Sequence, residues 1–157
     1  MELGRIVAVV LALTSVTPAA HPLDGDLVSR AAPGVIVLSG GPLRTPIVLS
    51  NWIENQKLMM AAATTVSIPD SALAHRQKVD VEMFWGAEWS HYASTPDSLA
   101  LLRRVREAQR GAYYPAAHRK PAIWVFGPAG PMPASERLLS SEGIAILRAH
   151  RVPVSVK

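Results

Sequence analysis

Two periodicities alternate between residues 79 and 156, and that alternation limits the fold of this chain more than any other feature. Val79, Val81, Met83 and Trp85 are interleaved with Asp80, Glu82 and Phe84. This period of two predicts a strand with one apolar face, closed by Gly86. Thr95-Pro96-Asp97 then opens a helix. Proline suits the first helical position, where its missing N–H is not needed, and an acid suits the first turn. The helix is expected to reach Arg110, before Gly111, with Leu101, Leu102, Val105 and Ala108 on one side. Ala122 to Phe126 is an unbroken apolar run, read as a buried strand. A helix carrying Ile144, Ile146 and Leu147 leads into a last strand at 152–156.

Strand, helix, strand, helix, strand is the order produced by right-handed crossovers between parallel strands. The expected fold class is therefore α/β, a small single domain over 35–157. Its mixed sheet would hold about three parallel strands, 79–85, 122–126 and 152–156. A β-hairpin over 35–50 extends the sheet, because Val35-Ile36-Val37-Leu38 and Ile47-Val48-Leu49 flank the turn residues Gly40-Gly41-Pro42. Helices pack on the sheet, one of them over 51–62, where Asn51 with Glu54 three residues later fits a variant N-cap box. Residues 64–68 read as a short strand and 70–76 as a helical turn. Pro153 suits no central strand, so the last strand is expected at an edge or starting one residue later. The alternative architecture is α+β with an antiparallel sheet.

The first twenty residues read as an export signal. Arg5 precedes the apolar run Ile6–Leu13, Pro18 breaks it, and Thr17 and Ala19 are small residues at the positions a signal peptidase reads. The expectation is a signal peptide over 1–19, a loose lead over 20–34, and a periplasmic or extracellular location. Even extended to Val16, the run is about half the roughly 20 residues a membrane-spanning helix needs. The chain has no cysteine, which excludes disulfides, thiolate metal sites and thiol nucleophiles. An exported domain of this kind must hold together by packing alone. With 49% hydrophobic and 18% charged residues, chain-wide disorder is excluded too.

In open parallel sheets, ligands bind beyond the carboxyl ends of the strands. The loops after 79–85 and 122–126 are then the candidate site. Trp89 and Tyr92 in the first offer ring faces, and Ser135, Glu136 and Arg137 in the second offer polar handles, as ligand-binding candidates. Glu88 and His91, three apart, share a face of a helical turn. A carboxylate beside an imidazole can orient it for acid–base work, which makes them the catalytic candidates.

The charge is lopsided. Residues 20–97 carry five bases against eight acids, and residues 98–157 carry ten bases against three acids. Arg103, Arg106 and Arg110 are the candidates for contact with an anionic surface. Export argues against nucleic acid as the partner and for anionic headgroups or envelope polymers. The plainer reading is a solvated helix face with Arg103 and Glu107 as an i,i+4 pair.

Other chemistries lack their patterns. No two of the five histidines sit at ligand spacing, so no metal is expected. Ser39-Gly40-Gly41-Pro42 and Gly127-Pro128-Ala129-Gly130-Pro131 contain proline and lack the Lys-Ser/Thr ending of a phosphate loop, and no Gly-x-Ser-x-Gly elbow occurs. No cofactor is expected. The functional expectation is an exported domain binding a small ligand or envelope partner without catalysis. The alternatives are a small enzyme using Glu88 and His91, and an accessory protein docking its basic half on an anionic surface.

Overall fold

β1 (Pro33–Ser39) and β2 (Ile47–Leu49) pair antiparallel, with Ile36 opposite Leu49 and Leu38 opposite Ile47, so the expected hairpin is present. Gly40 and Gly41 take φ of +74° and +56°, a conformation that costs glycine little and other residues more. These elements belong to a computed structural model that describes residues 32–93 and 95–156. The leader expected over 1–19 lies outside the described residues, as does the lead up to Ala31, and β1 begins at Pro33.

Asn51 caps α1 (Trp52–Ala61), its side chain accepting from the N–H groups of Ile53 and Glu54. β3 (Thr64–Val66), α2 (Asp70–Leu73) and β4 (Val79–Trp85) follow. A 3-10 segment, Ala87–Ala93, leads to α3 (Pro96–Val105), which starts with a capping box between Thr95 and Ser98. The rest of the chain forms β5 (Gln109–Tyr114), β6 (Ala116–Ala117), β7 (Ile123–Phe126), β8 (Ser135–Leu138), α4 (Ser141–Ala149) and β9 (Ser155–Val156). Glu54 does not complete a capping box. Its carboxylate lies 2.9 Å from His150 Nε2 and ties α1 to the end of α4.

The main sheet has seven strands in the order β2-β1-β4-β5-β7-β8-β3, and every neighbouring pair is antiparallel. This overturns the expected α/β sheet with three parallel strands; the chain adopts the antiparallel α+β alternative. Strands 79–85 and 122–126 do run in the same direction, but β5 lies between them, antiparallel to both. The helix expected to reach Arg110 stops at Val105, and Arg106 is already extended (φ −137°, ψ 130°). That frees 109–114 to pair on both edges. The connection from β4 to β5 therefore leaves and returns at one end of the sheet, where a crossover would have carried the chain to the other. The expected last strand is also displaced. Ser155–Val156 pairs with Ala116–Ala117 in a separate two-stranded sheet, the one parallel pairing among the described residues. β8, its residues expected in the loop after 122–126, bridges β7 and β3.

The sheet is covered on both faces. Ile36, Leu38, Val81, Met83 and Trp124 point to one face, where Leu58 of α1 and Leu147 of α4 bury them. Val35, Val37 and Phe84 point to the other, where Leu99 and Leu102 of α3 meet them, with Trp89 at the margin. This explains why β1 is apolar without alternation. It also corrects the expected apolar side of α3: Leu101 and Val105 are 48% and 59% exposed, because the face that meets Phe84 carries Leu99 and Leu102. Asn55, 1% exposed, donates to the carbonyls of Pro33 (3.1 Å) and Leu49 (3.1 Å), pinning α1 to the hairpin. Among the described residues, no helix is long and apolar enough to cross a membrane.

Candidate functional site

β4 and β7 run the same way, so the segments that leave them emerge at the same end of the sheet. They then part to opposite faces. The 3-10 segment folds toward the α3 face, where Trp89 packs beside Phe84 and Val35. The turn over 127–134 wraps the end of the sheet toward α1.

Under this turn lies a pocket of about 360 Å³. Met59 of α1, Trp85 at the end of β4, Phe126 at the end of β7 and Met132 of the turn supply its large apolar side chains. Gln109, the first residue of β5, holds the wall together. Its side-chain oxygen accepts from Trp85 Nε1 at 2.8 Å, and its amide nitrogen donates to the Gly127 carbonyl at 2.7 Å. Arg137 lines the same pocket and is fixed by donating to the Ala63 carbonyl at 2.9 Å.

Ser135 and Arg137, two of the ligand-binding candidates, line this pocket. Glu136 between them faces the other side of the sheet, opposite Val125 and Val66, because alternate strand residues point to opposite faces. Trp89 and Tyr92 are stacked at 5.5 Å, tilted by 50°, and lie away from the pocket. Trp89 is half-buried, and its Nε1 is buried with no hydrogen-bond partner. Glu88 and His91 are both exposed. The Glu88 carboxylate occupies the space a side chain at Gly86 would need. No hydrogen bond or ion pair joins Glu88 to His91 among the described residues, and neither lines the pocket.

Arg103, Arg106 and Arg110 are brought together, but not as one helix face. Arg103 lies on α3, Arg106 caps its end and Arg110 lies on β5. They line a second pocket of about 480 Å³ on the α3 side of the sheet, with Glu82 and Glu107. The expected i,i+4 partner of Arg103 is replaced, since Glu107 falls beyond the helix. Arg103 instead donates to Glu82 of β4, from Nε at 3.2 Å and from Nη2. Arg110 stands opposite Glu82 in the β4–β5 register. The Arg106 guanidinium lies 5.9 Å above the Trp89 ring.

A third concavity lies between these two. It shares Trp85 and Gln109 with the apolar pocket, and Arg106, Glu107, Ala108 and Pro128 with the arginine pocket. Among the described residues, no group of three or more His, Asp or Glu side chains is placed to hold a metal.

Five wall residues escaped the sequence reading. Trp85 reads as core, Gln109 falls within the expected helix, and Met59 and Phe126 look like ordinary apolar positions. Met132 carried a signal: a large apolar residue in a turn of glycine and proline, left 64% exposed. Comparison with known proteins finds no matching family model, no similar curated protein and no similar solved structure.

Proposed function

We propose that the protein is an exported, non-catalytic binding domain that takes a small, largely apolar ligand in the pocket beneath the 127–134 turn. The observation that carries this reading is the wall itself. Met59, Trp85 and the pair Phe126 and Met132 come from three separate stretches of the chain and line one concavity that stays open to solvent. Its size lies within the roughly 300–1,000 Å³ of small-molecule sites, which combine apolar walls with a few fixed polar groups. Gln109 and Arg137 are the fixed polar groups. A ligand gains about 25 cal/mol for each Å² of apolar surface removed from water, and Met132, 64% exposed, offers such surface. Export is supported by the charged, apolar and small-residue order of the first twenty residues.

The test is fluorescence titration of the full chain with an uncharged naphthylamine, N-phenyl-1-naphthylamine. The expected result is saturable binding with emission changes from both the reporter and the tryptophans of the chain, of which Trp85 lines the pocket. Ala63 is exposed and lines the pocket, so Ala63→Trp fills the site without touching the core. That variant is expected to weaken binding at least tenfold. No saturable binding by the parent chain, or undiminished binding by Ala63→Trp, overturns the reading. Export is tested by the first residue of protein recovered outside the cytoplasm, expected near Ala20.

A further inference from the structure

We infer that the ligand is an amphipathic anion, a single-chain carboxylate whose apolar tail fills the pocket under the turn and whose head reaches the arginines. This rests on the binding reading above and names its ligand class. The apolar pocket and the arginine pocket flank a third concavity at the end of the sheet, which shares Trp85 and Gln109 with the first and Arg106, Glu107, Ala108 and Pro128 with the second. Their lining residues run from Met132 past Trp85 and Gln109 to Arg106 and Arg110.

The two ends of this path differ in chemistry. At the tail end, Phe126 and Met59 are apolar, and the one charged side chain, Arg137, is held by the Ala63 carbonyl. At the head end, Glu82 is already engaged by Arg103. Arg106 and Arg110 are exposed and enter no ion pair among the described residues. Arg106, its guanidinium 5.9 Å from the centre of the Trp89 ring, carries a planar fork of N–H donors, the geometry that matches a carboxylate. Glu107 is the other acid lining this end, so positive charge is in excess. An uncharged apolar molecule would leave that charge unused, and a small inorganic anion would leave the apolar end unfilled. A chain with an anionic head complements both.

The test is calorimetric titration of the full chain with sodium octanoate, decanoate and dodecanoate below their micelle concentrations, with decanol as the uncharged control. Affinity is expected to rise about fourfold per added methylene. Decanoate is expected to bind at least tenfold more tightly than decanol and to weaken as salt is raised from 50 to about 300 mM. Arg106→Ala and Arg110→Ala should each weaken decanoate binding about tenfold. Arg106→Lys should recover part of the loss, and Arg148→Ala, a change at an exposed α4 position outside these pockets, should have no effect. Thermal unfolding midpoints check that the variants fold. Equal affinity for decanol and decanoate, or arginine variants that bind decanoate normally, overturns the inference. If the naphthylamine still binds in that case, the binding reading stands alone. If neither the reporter nor any carboxylate binds, the binding reading itself has failed.

Discussion

Asn55 and Leu49 are joined by a hydrogen bond of 3.1 Å, from a carboxamide on the first helix to the last carbonyl of an edge strand. The same amide donates to the Pro33 carbonyl at 3.1 Å, with the Gly34 carbonyl at 3.4 Å. One buried side chain thus donates to backbone carbonyls of both hairpin strands. Asn55→Ala should lower the unfolding free energy by about 2–4 kcal/mol, since buried acceptors lose their donor. Urea denaturation measures this. A loss under about 1 kcal/mol would mean those carbonyls find other donors.

Tyr113 is fully buried beside Trp124 and donates its hydroxyl to the Pro153 carbonyl at 3.2 Å. Burial pushes its pKa well above the ordinary tyrosine value. The folded chain therefore keeps a proton that the unfolded chain releases near pH 10. The stability from this group is intact below about pH 10. Above that it falls by up to about 1.4 kcal/mol per pH unit, until the folded pKa is reached. Tyr113→Phe should remove that part of the alkaline loss while costing about 1 kcal/mol at neutral pH. Unfolding curves between pH 8 and about 11.5 compare the two slopes.

The Arg103–Glu82 pair ties α3 to the centre of the sheet across a partly exposed surface, with side chains 44% and 20% exposed. Solvent screening limits its coupling to about 0.5–1 kcal/mol. A double-mutant cycle with Arg103→Ala and Glu82→Gln measures the coupling, which should shrink in about 0.5 M salt. A coupling of zero at low salt would show that Leu99 and Leu102 alone hold the helix.

Gly127 leaves no room for a side chain: a Cβ there would run into the Arg110 carbonyl oxygen. Gly127→Ala should displace the end of β7, break the bond from Gln109, and weaken reporter binding about fivefold or more. Stability should drop by about 1–3 kcal/mol. Gly130→Ala is the control. Open space surrounds that position and φ is +55°, so about 1 kcal/mol is lost with reporter binding retained.

Local features are legible in the residues themselves. The Gly40-Gly41 turn, the Asn51 and Thr95 caps and the alternation from Val79 to Trp85 all appear where their residues place them. The end of α3 is not legible in this way. Arg106 to Arg110 holds good helix formers, yet the chain leaves the helix at Arg106, and Gln109 and Arg110 pair as strand. A strand of Gln, Arg, Gly and Ala has little period of its own; β4 and β7 on either side define it. The site follows the same division. Ser135 and Arg137 can be named from a polar loop, whereas Gln109 acquires its role from Trp85 and Gly127, 24 and 18 positions away.

The sequence by itself therefore determined the punctuation of this protein: where helices begin, where the hairpin turns, and which strands carry apolar residues. Such signals act within a few positions, through caps, backbone φ and side-chain period. Only the tertiary structure decided that 109–114 is a strand, that it separates 79–85 from 122–126, and that the terminal strand leaves the main sheet. Strand pairing joins residues far apart in the chain, and its energy lies in hydrogen bonds and packing that exist only once the partner is beside it. The same long-range pairing carried Arg110 from an expected helix face to the pocket beside Glu82 and Arg106.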